Sequence, residues 1–80
     1  MTCTEELESR IAKAEARYGP FASTHEAMGV AGEEWDELRD AVRSNVLIDI
    51  REEALDLAAV CIRLADNLHD IEAMRARSAK

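Results

Sequence analysis

Residues that interrupt helices are scarce in this chain and fall at few positions. The sequence has three glycines and one proline, and Ala, Leu, Glu and Arg dominate its longer segments. Gly19-Pro20 ends a first helical pattern and Ser44-Asn45 ends a second. The chain is therefore predicted to be all-α, with three helices. They cover about residues 3–18, from Ser23 or Thr24 to about Arg43, and from about Asp49 into the 70s.

The starts of the first two predicted helices have the spacing of capping boxes, with Thr2 before Glu5 and Ser23 before Glu26. Each predicted helix also carries an apolar stripe at helical spacing. The stripes are Leu7, Ile11, Ala14 and Tyr18; Met28, Ala31, Trp35, Leu38 and Val42; and Ile50, Ala54, Leu57, Cys61, Leu64, Leu68 and Ile71.

The third predicted helix is apolar on a second side as well, through Leu55, Ala58, Ala59 and Ile62. A helix with two apolar sides needs two neighbours. Within one small domain, residues 1–80, the second neighbour is expected to be another subunit. The predicted fold is therefore a bundle of about three helices per chain, completed by assembly into a homodimer or homotetramer.

Composition narrows the classes of partner. The formal net charge of −7 argues against a general nucleic-acid or anionic membrane surface. No apolar run approaches the roughly 20 residues of a membrane span, and no signal peptide is recognisable. The two cysteines form no CxxC or disulfide framework. We therefore expect a cytoplasmic protein without nucleic-acid or membrane partners.

Two acidic phrases, Glu34 with Glu37 and Glu53 with Asp56, carry the chemical signal. The i, i+3 spacing places both carboxylates of each pair on one side of a helix. Such pairs are common in an acidic chain, and a solvated helix face is the alternative interpretation. The helical positions of Glu34 and Glu53 nevertheless fall within apolar arcs, where a carboxylate is costly without a proton or cation. Ligands that are all oxygen suit Mg²⁺ or Mn²⁺ better than iron or zinc.

Three phrases of the chain resemble a known family. They are the residues from Tyr18 to Ala27, from Glu33 to Leu38 and from Arg51 to Val60. Together they are similar to MazG-like proteins of the all-α nucleoside triphosphate pyrophosphatase superfamily. The family pattern is ExxE, a spacer and ExxD, which Glu34, Glu37, Glu53 and Asp56 match. The similarity extends over about residues 18–62.

The resemblance implies an enzyme that hydrolyses a nucleoside triphosphate, usually a deoxynucleotide, to the monophosphate and pyrophosphate with Mg²⁺. It implies that the four matching acids hold the metal, and that Glu34 or Glu37 orients or deprotonates the attacking water. A non-catalytic helical module for oligomerisation or interaction, retaining the same fold, is the alternative function.

Three further residues are candidates for substrate binding. Trp35 is expected either to stack on a base or to pack in the core. His25 is expected either to contact substrate or to be a surface residue at a helix start. Asn67 is expected either to form a hydrogen bond with a nucleotide or to face solvent.

Overall fold

The structure is a computed structural model that describes residues 1–78. It contains three helices, α1 (Cys3–Tyr18), α2 (Thr24–Ser44) and α3 (Leu47–Ser78), and no strand within that range. The prediction of an all-α chain with three helices is confirmed, and α3 begins two residues before the expected Asp49. Within residues 1–78 no helix combines the length and apolarity that a membrane span requires.

The two predicted capping boxes have different outcomes. At α1 the box is complete, because the amide of Glu5 donates to Thr2 Oγ1 and the amide of Thr2 donates to Glu5 Oε1, both at 3.1 Å. At α2 the amide of Glu26 donates to Ser23 Oγ at 3.0 Å. The Glu26 carboxylate, however, accepts from the amide of Ala22 at 3.3 Å. The expected return bond is therefore displaced by one residue.

A tight connection folds α3 back along α2. Asn45 ends α2 in the left-handed conformation with φ 58°, and its amide donates to the Ala41 carbonyl at 3.0 Å. Helices joined by so short a link become antiparallel neighbours. Together with Phe21 they enclose the core. It consists of Phe21, Ala27, Val60 and Ile71, with Val30, Ala31, Leu64 and Met74 around it.

The α1 helix is held in another way. None of its residues is buried, and within residues 1–78 it packs against α3 but not against α2. Its polar side chains instead pair with α3, through Glu6–Arg51, Arg10–Glu52, Arg10–Asp56 and Glu15–Arg63. Since α1 and α2 lie on different sides of α3 without touching, a groove remains between them.

The connection between α1 and α2 is fastened to α3 by two buried polar side chains. The Arg63 guanidinium donates to the Gly19 carbonyl at 3.1 Å and lies 4.3 Å from the centroid of the Phe21 ring. The Asn67 side-chain oxygen accepts from the amide of Phe21 at 2.9 Å. Gly19 has φ 71°, a conformation that glycine adopts without strain. These contacts place Phe21 in the core and so set the direction in which α2 begins.

Only part of the predicted apolar stripe of α2 is covered, since Ala31 packs against the core and Leu38 is half-buried. Met28 is 65% exposed, and Trp35 and Val42 are each 54% exposed. The buried positions are Ala27 and Ala41, each one residue earlier than a member of the stripe. Small side chains let two helices approach closely, so α2 is turned by about one residue relative to the expectation. The interpretation that Trp35 packs in the core of the chain is therefore wrong.

The stripes expected on the other helices are also partly uncovered, with Tyr18 of α1 exposed. On α3 the exposed members are Ala54, Cys61 and Leu68. Buried positions of α3 instead include Leu55, Ala59 and Val60. We define the outer apolar stripes as Met28, Trp35 and Val42 on α2 and Ala54, Cys61 and Leu68 on α3. Heptad-spaced apolar residues on two helices are the arrangement that a helical partner covers.

Replacing Arg63 tests the polar fastening of the α1–α2 connection. Arg63→Met keeps the length of the side chain but loses its charge-assisted hydrogen bonds. We expect a loss of about 2 kcal/mol in the free energy of unfolding, which lowers Tm by roughly 8–15 °C for a chain of this size. Arg17→Met is the control, because Arg17 lies over the Tyr18 ring in an exposed position. Equal losses in urea unfolding of the two variants would contradict the assignment.

Trp35→Glu tests the outer apolar stripes. If a second copy covers them, the new charge is buried without a partner, and the variant sediments as a monomer at concentrations where the wild type is a dimer or tetramer. Arg43→Gln changes the net charge by the same amount at another exposed position of α2 and leaves the assembly intact. A wild type that is monomeric at high micromolar concentration refutes this prediction.

Candidate metal centre

Three of the four predicted acids meet between α2 and α3. Glu34 and Glu37 come from consecutive turns of α2, and Glu53 comes from the facing part of α3. One carboxylate oxygen from each lies within 4.8 Å of those of the other two. The i, i+3 spacing places the first pair on one side of α2, and the antiparallel packing of α3 adds the third carboxylate.

Two oxygens of this cluster are buried without a hydrogen-bond donor. They are Oε2 of Glu34 and Oε2 of Glu53, both closed to solvent. A buried carboxylate oxygen with no partner is costly, and a proton or a cation removes that cost. Glu37 is exposed and leaves the cluster open to solvent on one side. The donor set is therefore suited to a hard cation that arrives from water.

Burial and mutual repulsion change the titration of the cluster. Burial, together with the charges of Glu37 and Asp56, raises the pKa of Glu34 to about 7. The pKa of Glu53 is raised in the same direction, first by burial and then by the neighbouring carboxyl group of Glu37. Without a cation, the cluster therefore retains a proton at pH values where an ordinary glutamate has lost it.

Asp56, the fourth predicted ligand, is not part of the group that the three glutamates form. Its Oδ1 lies 2.5 Å from Nη1 of Arg10 on α1, and Arg10 also pairs with Glu52. Asp56 still lies close enough to raise the pKa of Glu34 and of Glu53. The structure thus places Asp56 beside the cluster but gives it a different partner.

The cluster borders the groove between α1 and α2, which has a volume of about 500 Å³. Its lining has an acidic part, with Glu33, Glu34 and Asp56, and an apolar part, with Phe21, Val30 and Val60. Arg10 and Arg63 add two cationic groups. Small-molecule sites in proteins span about 300–1,000 Å³, so the groove has the size and the mixed chemistry of a ligand site.

The three candidates for substrate binding lie elsewhere. His25 is exposed in the first turn of α2, and Trp35 is exposed on its outer stripe. Asn67 is buried, accepting from Phe21 and donating to Glu15 Oε1 at 3.4 Å. The interpretation of Asn67 as a solvent-facing amide is therefore wrong. Contact of these residues with a nucleotide stays a prediction.

Neither Arg10 nor Arg63 is among the candidate residues of the sequence analysis. Both belong to the groove, yet neither falls in a motif. Arg10 pairs across 46 positions with Asp56, and Arg63 reaches Gly19 across 44. The one signal available in the sequence was that Arg63 falls on the same side of its helix as residues that are buried.

Comparisons with protein-family models, with curated proteins and with solved structures find no match for this chain. The resemblance to MazG-like proteins therefore rests on the residues of its acidic phrases and their flanks.

The raised pKa values predict how stability depends on pH. A carboxyl group whose pKa is higher in the folded chain stabilises that chain below its ordinary pKa, and this contribution is lost as pH rises through the folded value. For Glu34 the window runs from 4.5 to about 7. In EDTA, we therefore expect Tm to fall from about pH 5 to about pH 8. Mg²⁺ or Mn²⁺ restores Tm at the upper pH more than at the lower.

Glu34→Gln distinguishes the contribution of the cluster to the pH dependence of Tm from that of the other acidic residues. The variant keeps the shape of the side chain and loses its charge, so the fall in Tm becomes smaller. Asp40→Asn removes an exposed carboxylate from the same helix and is expected to leave the fall unchanged. If the two variants flatten the profile equally, the cluster is not its source.

Proposed function

We propose that this chain is a cytoplasmic Mg²⁺-dependent nucleoside triphosphate pyrophosphohydrolase. It converts a nucleoside or deoxynucleoside triphosphate and water into the monophosphate and pyrophosphate. The observation that carries the proposal is the convergence of Glu34, Glu37 and Glu53, with two buried oxygens that lack a donor, beside a groove of ligand size. The resemblance of the acidic phrases to those of MazG-like proteins supports the same reaction.

The donor set supports the choice of cation. Glu34, Glu37 and Glu53 offer only carboxylate oxygens, which Mg²⁺ and Mn²⁺ prefer. When bound, the cation offsets the repulsion between the acidic cluster and a triphosphate and stabilises charge on the departing pyrophosphate. Asp56 is the fourth ligand in this proposal, and it has to change partner from Arg10 to serve.

Two side chains of α2, Glu34 and Glu37, are proposed to act on the attacking water molecule. Glu37 is the exposed member of the cluster, so a water molecule reaches its carboxylate and is oriented there. The nearest carboxylate oxygen of Glu34 lies within 4.8 Å of that of Glu37, so Glu34 is the neighbouring group that can take a proton from the same water. We assign orientation of the water to Glu37 and acceptance of its proton to Glu34.

The groove supports a nucleotide as the ligand. Its acidic part lies at the proposed cation centre, where the phosphates belong. The apolar side chains of Phe21, Val30 and Val60 offer a dry surface to the sugar and base. Arg63 lines the same groove with its guanidinium over the Phe21 ring, so it adds a cationic group at the apolar part.

The exposed outer stripes support the assembly part of the proposal, a homodimer or homotetramer. They also favour the second candidate function, a helical interaction module without catalysis. In that function the stripes bind the partner, and the three glutamates form a structural or regulatory cation site. Release of pyrophosphate separates the two functions, because only the enzyme produces it.

The decisive measurement is pyrophosphate released from a panel of (d)NTPs with Mg²⁺. Glu53→Gln keeps the helix and removes one proposed ligand. We expect it to reduce the rate on the order of 100-fold or more, the scale of one group that stabilises transition-state charge. Glu72→Gln, an exposed change on the same helix, retains the activity. A folded wild type that releases pyrophosphate from none of the nucleotides leaves the interaction module as the better proposal.

A further inference from the structure

Arg10 connects α1 to the acidic centre. Its Nη1 lies 2.5 Å from Asp56 Oδ1 and 3.4 Å from the carbonyl oxygen of Glu52, and its Nη2 pairs with the Glu52 carboxylate. Both terminal nitrogens of the guanidinium therefore bind groups of α3. It lies at the wall of the groove, beside the glutamate cluster.

Asp56 has two competing neighbours. On one side is Arg10, and on the other are Glu34 and Glu53, whose pKa values its charge raises. A divalent cation among the glutamates attracts the Asp56 carboxylate and repels the Arg10 guanidinium, because both effects are Coulombic and act over a few ångströms. Binding of the cation thus works against the ion pair.

We propose that Arg10 is a built-in counter-ion that competes with the divalent cation for Asp56, so that cation binding and docking of α1 oppose each other. The inference rests on the metal centre of the proposed function. Without a cation, Arg10 keeps α1 on α3 and neutralises Asp56. With a cation, Asp56 changes partner and α1 loses its central attachment.

The way α1 is held makes this exchange feasible. The helix has no buried residue and no contact with α2 within residues 1–78, so it is held on α3 by its polar pairs and by the half-buried Leu7, Ile11 and Ala14. The Arg10 pairs are partly exposed, with 27% of the Arg10 side chain and 39% of the Asp56 side chain open to solvent. Ion pairs of this kind contribute little each, so a bound cation can displace one.

Arg10→Gln tests the competition through binding of the cation alone. Coupling between two sites is reciprocal, so removing the competitor tightens the cation site. We expect Mn²⁺ and Mg²⁺ to bind about 5- to 10-fold more tightly, at the lower end of typical coupling factors. Calorimetric titration of each ion, without nucleotide, measures this difference.

Arg51→Gln is the matched control. It removes the same charge and another α1–α3 ion pair, that with Glu6, while Asp56 keeps Arg10. Arg51 and Glu53 are two residues apart on α3 and therefore point in nearly opposite directions. We expect the affinity of Arg51→Gln for Mn²⁺ to change by less than about twofold, because this charge points away from Glu53, is paired with Glu6 and is partly screened by solvent.

Hydrogen exchange gives a second readout that is independent of affinity. In the wild type, saturating Mg²⁺ is expected to accelerate amide exchange across the middle of α1, since its central attachment is lost. In Arg10→Gln the same amides exchange quickly from the start, and Mg²⁺ leaves them unchanged. Should Arg10→Gln fail to fold, Arg10→Lys replaces it, with one ammonium for two partners and a smaller gain in affinity.

The outcomes distinguish this inference from the proposed function. Equal cation affinity in the wild type and Arg10→Gln, or an equal gain in Arg51→Gln, overturns the competition and leaves the metal centre intact. Unchanged exchange of α1 under saturating Mg²⁺ does the same. Binding by Arg10→Gln but not by the wild type supports the competition in its strongest form. Binding by neither overturns both the metal centre and the competition.

Discussion

The close packing of α2 on α3 controls the remainder of the structure. Ala27 and Ala41 are buried against α3, and Glu34 lies between them at the same heptad position. The helix cannot bury the two alanines without turning Glu34 toward the same seam, where it meets Glu53. Apolar packing therefore forces two carboxylates together, and the two buried oxygens are its consequence. A proton or a cation supplies the partner that these two buried oxygens lack.

The helices α1 and α2 are attached to α3 by different kinds of interaction. An apolar core joins α2 to α3, whereas α1 has no buried residue and combines a half-buried apolar stripe with charged pairs. Partly exposed pairs are weak and sensitive to salt. Since α1 forms one wall of the groove, the way in which α1 is held on α3 sets the width of the groove. In our proposal, Arg10 would make this wall respond to a cation among the glutamates.

Local signals in the sequence were sufficient for the helices and for part of the site. The breaks at Gly19-Pro20 and Ser44-Asn45 act within a few residues, and so their effects are predictable. The spacing of Glu34 and Glu37 fixes their common side in the same local way. The convergence with Glu53 followed from two helices packing face to face.

Other features depend on choices that no local pattern contains. Met28, Trp35 and Val42 are more apolar than the alanines beside them, yet close approach favours the small residues, and α2 turns accordingly. The pair of Arg10 with Asp56 depends on the register of α1 along α3, which charge alone does not specify. Asn67 is polar, and its sequence position suggests a surface residue. Its side-chain oxygen instead accepts a hydrogen bond from the amide of Phe21, in the α1–α2 connection, which only the tertiary fold brings close to α3.

The outer apolar stripe of α2 and two carboxylates of the cluster, those of Glu34 and Glu37, belong to the same helix. Trp35 follows Glu34 directly, so the rotation of α2 that buries one fixes the direction of the other. A second copy that covers Trp35 restrains α2 against rotation and so holds Glu34 and Glu37 in place. If the proposed assembly and cation centre hold, assembly on the outer stripes would stiffen the half of the centre on α2, and Arg10 would act on the other half through Asp56.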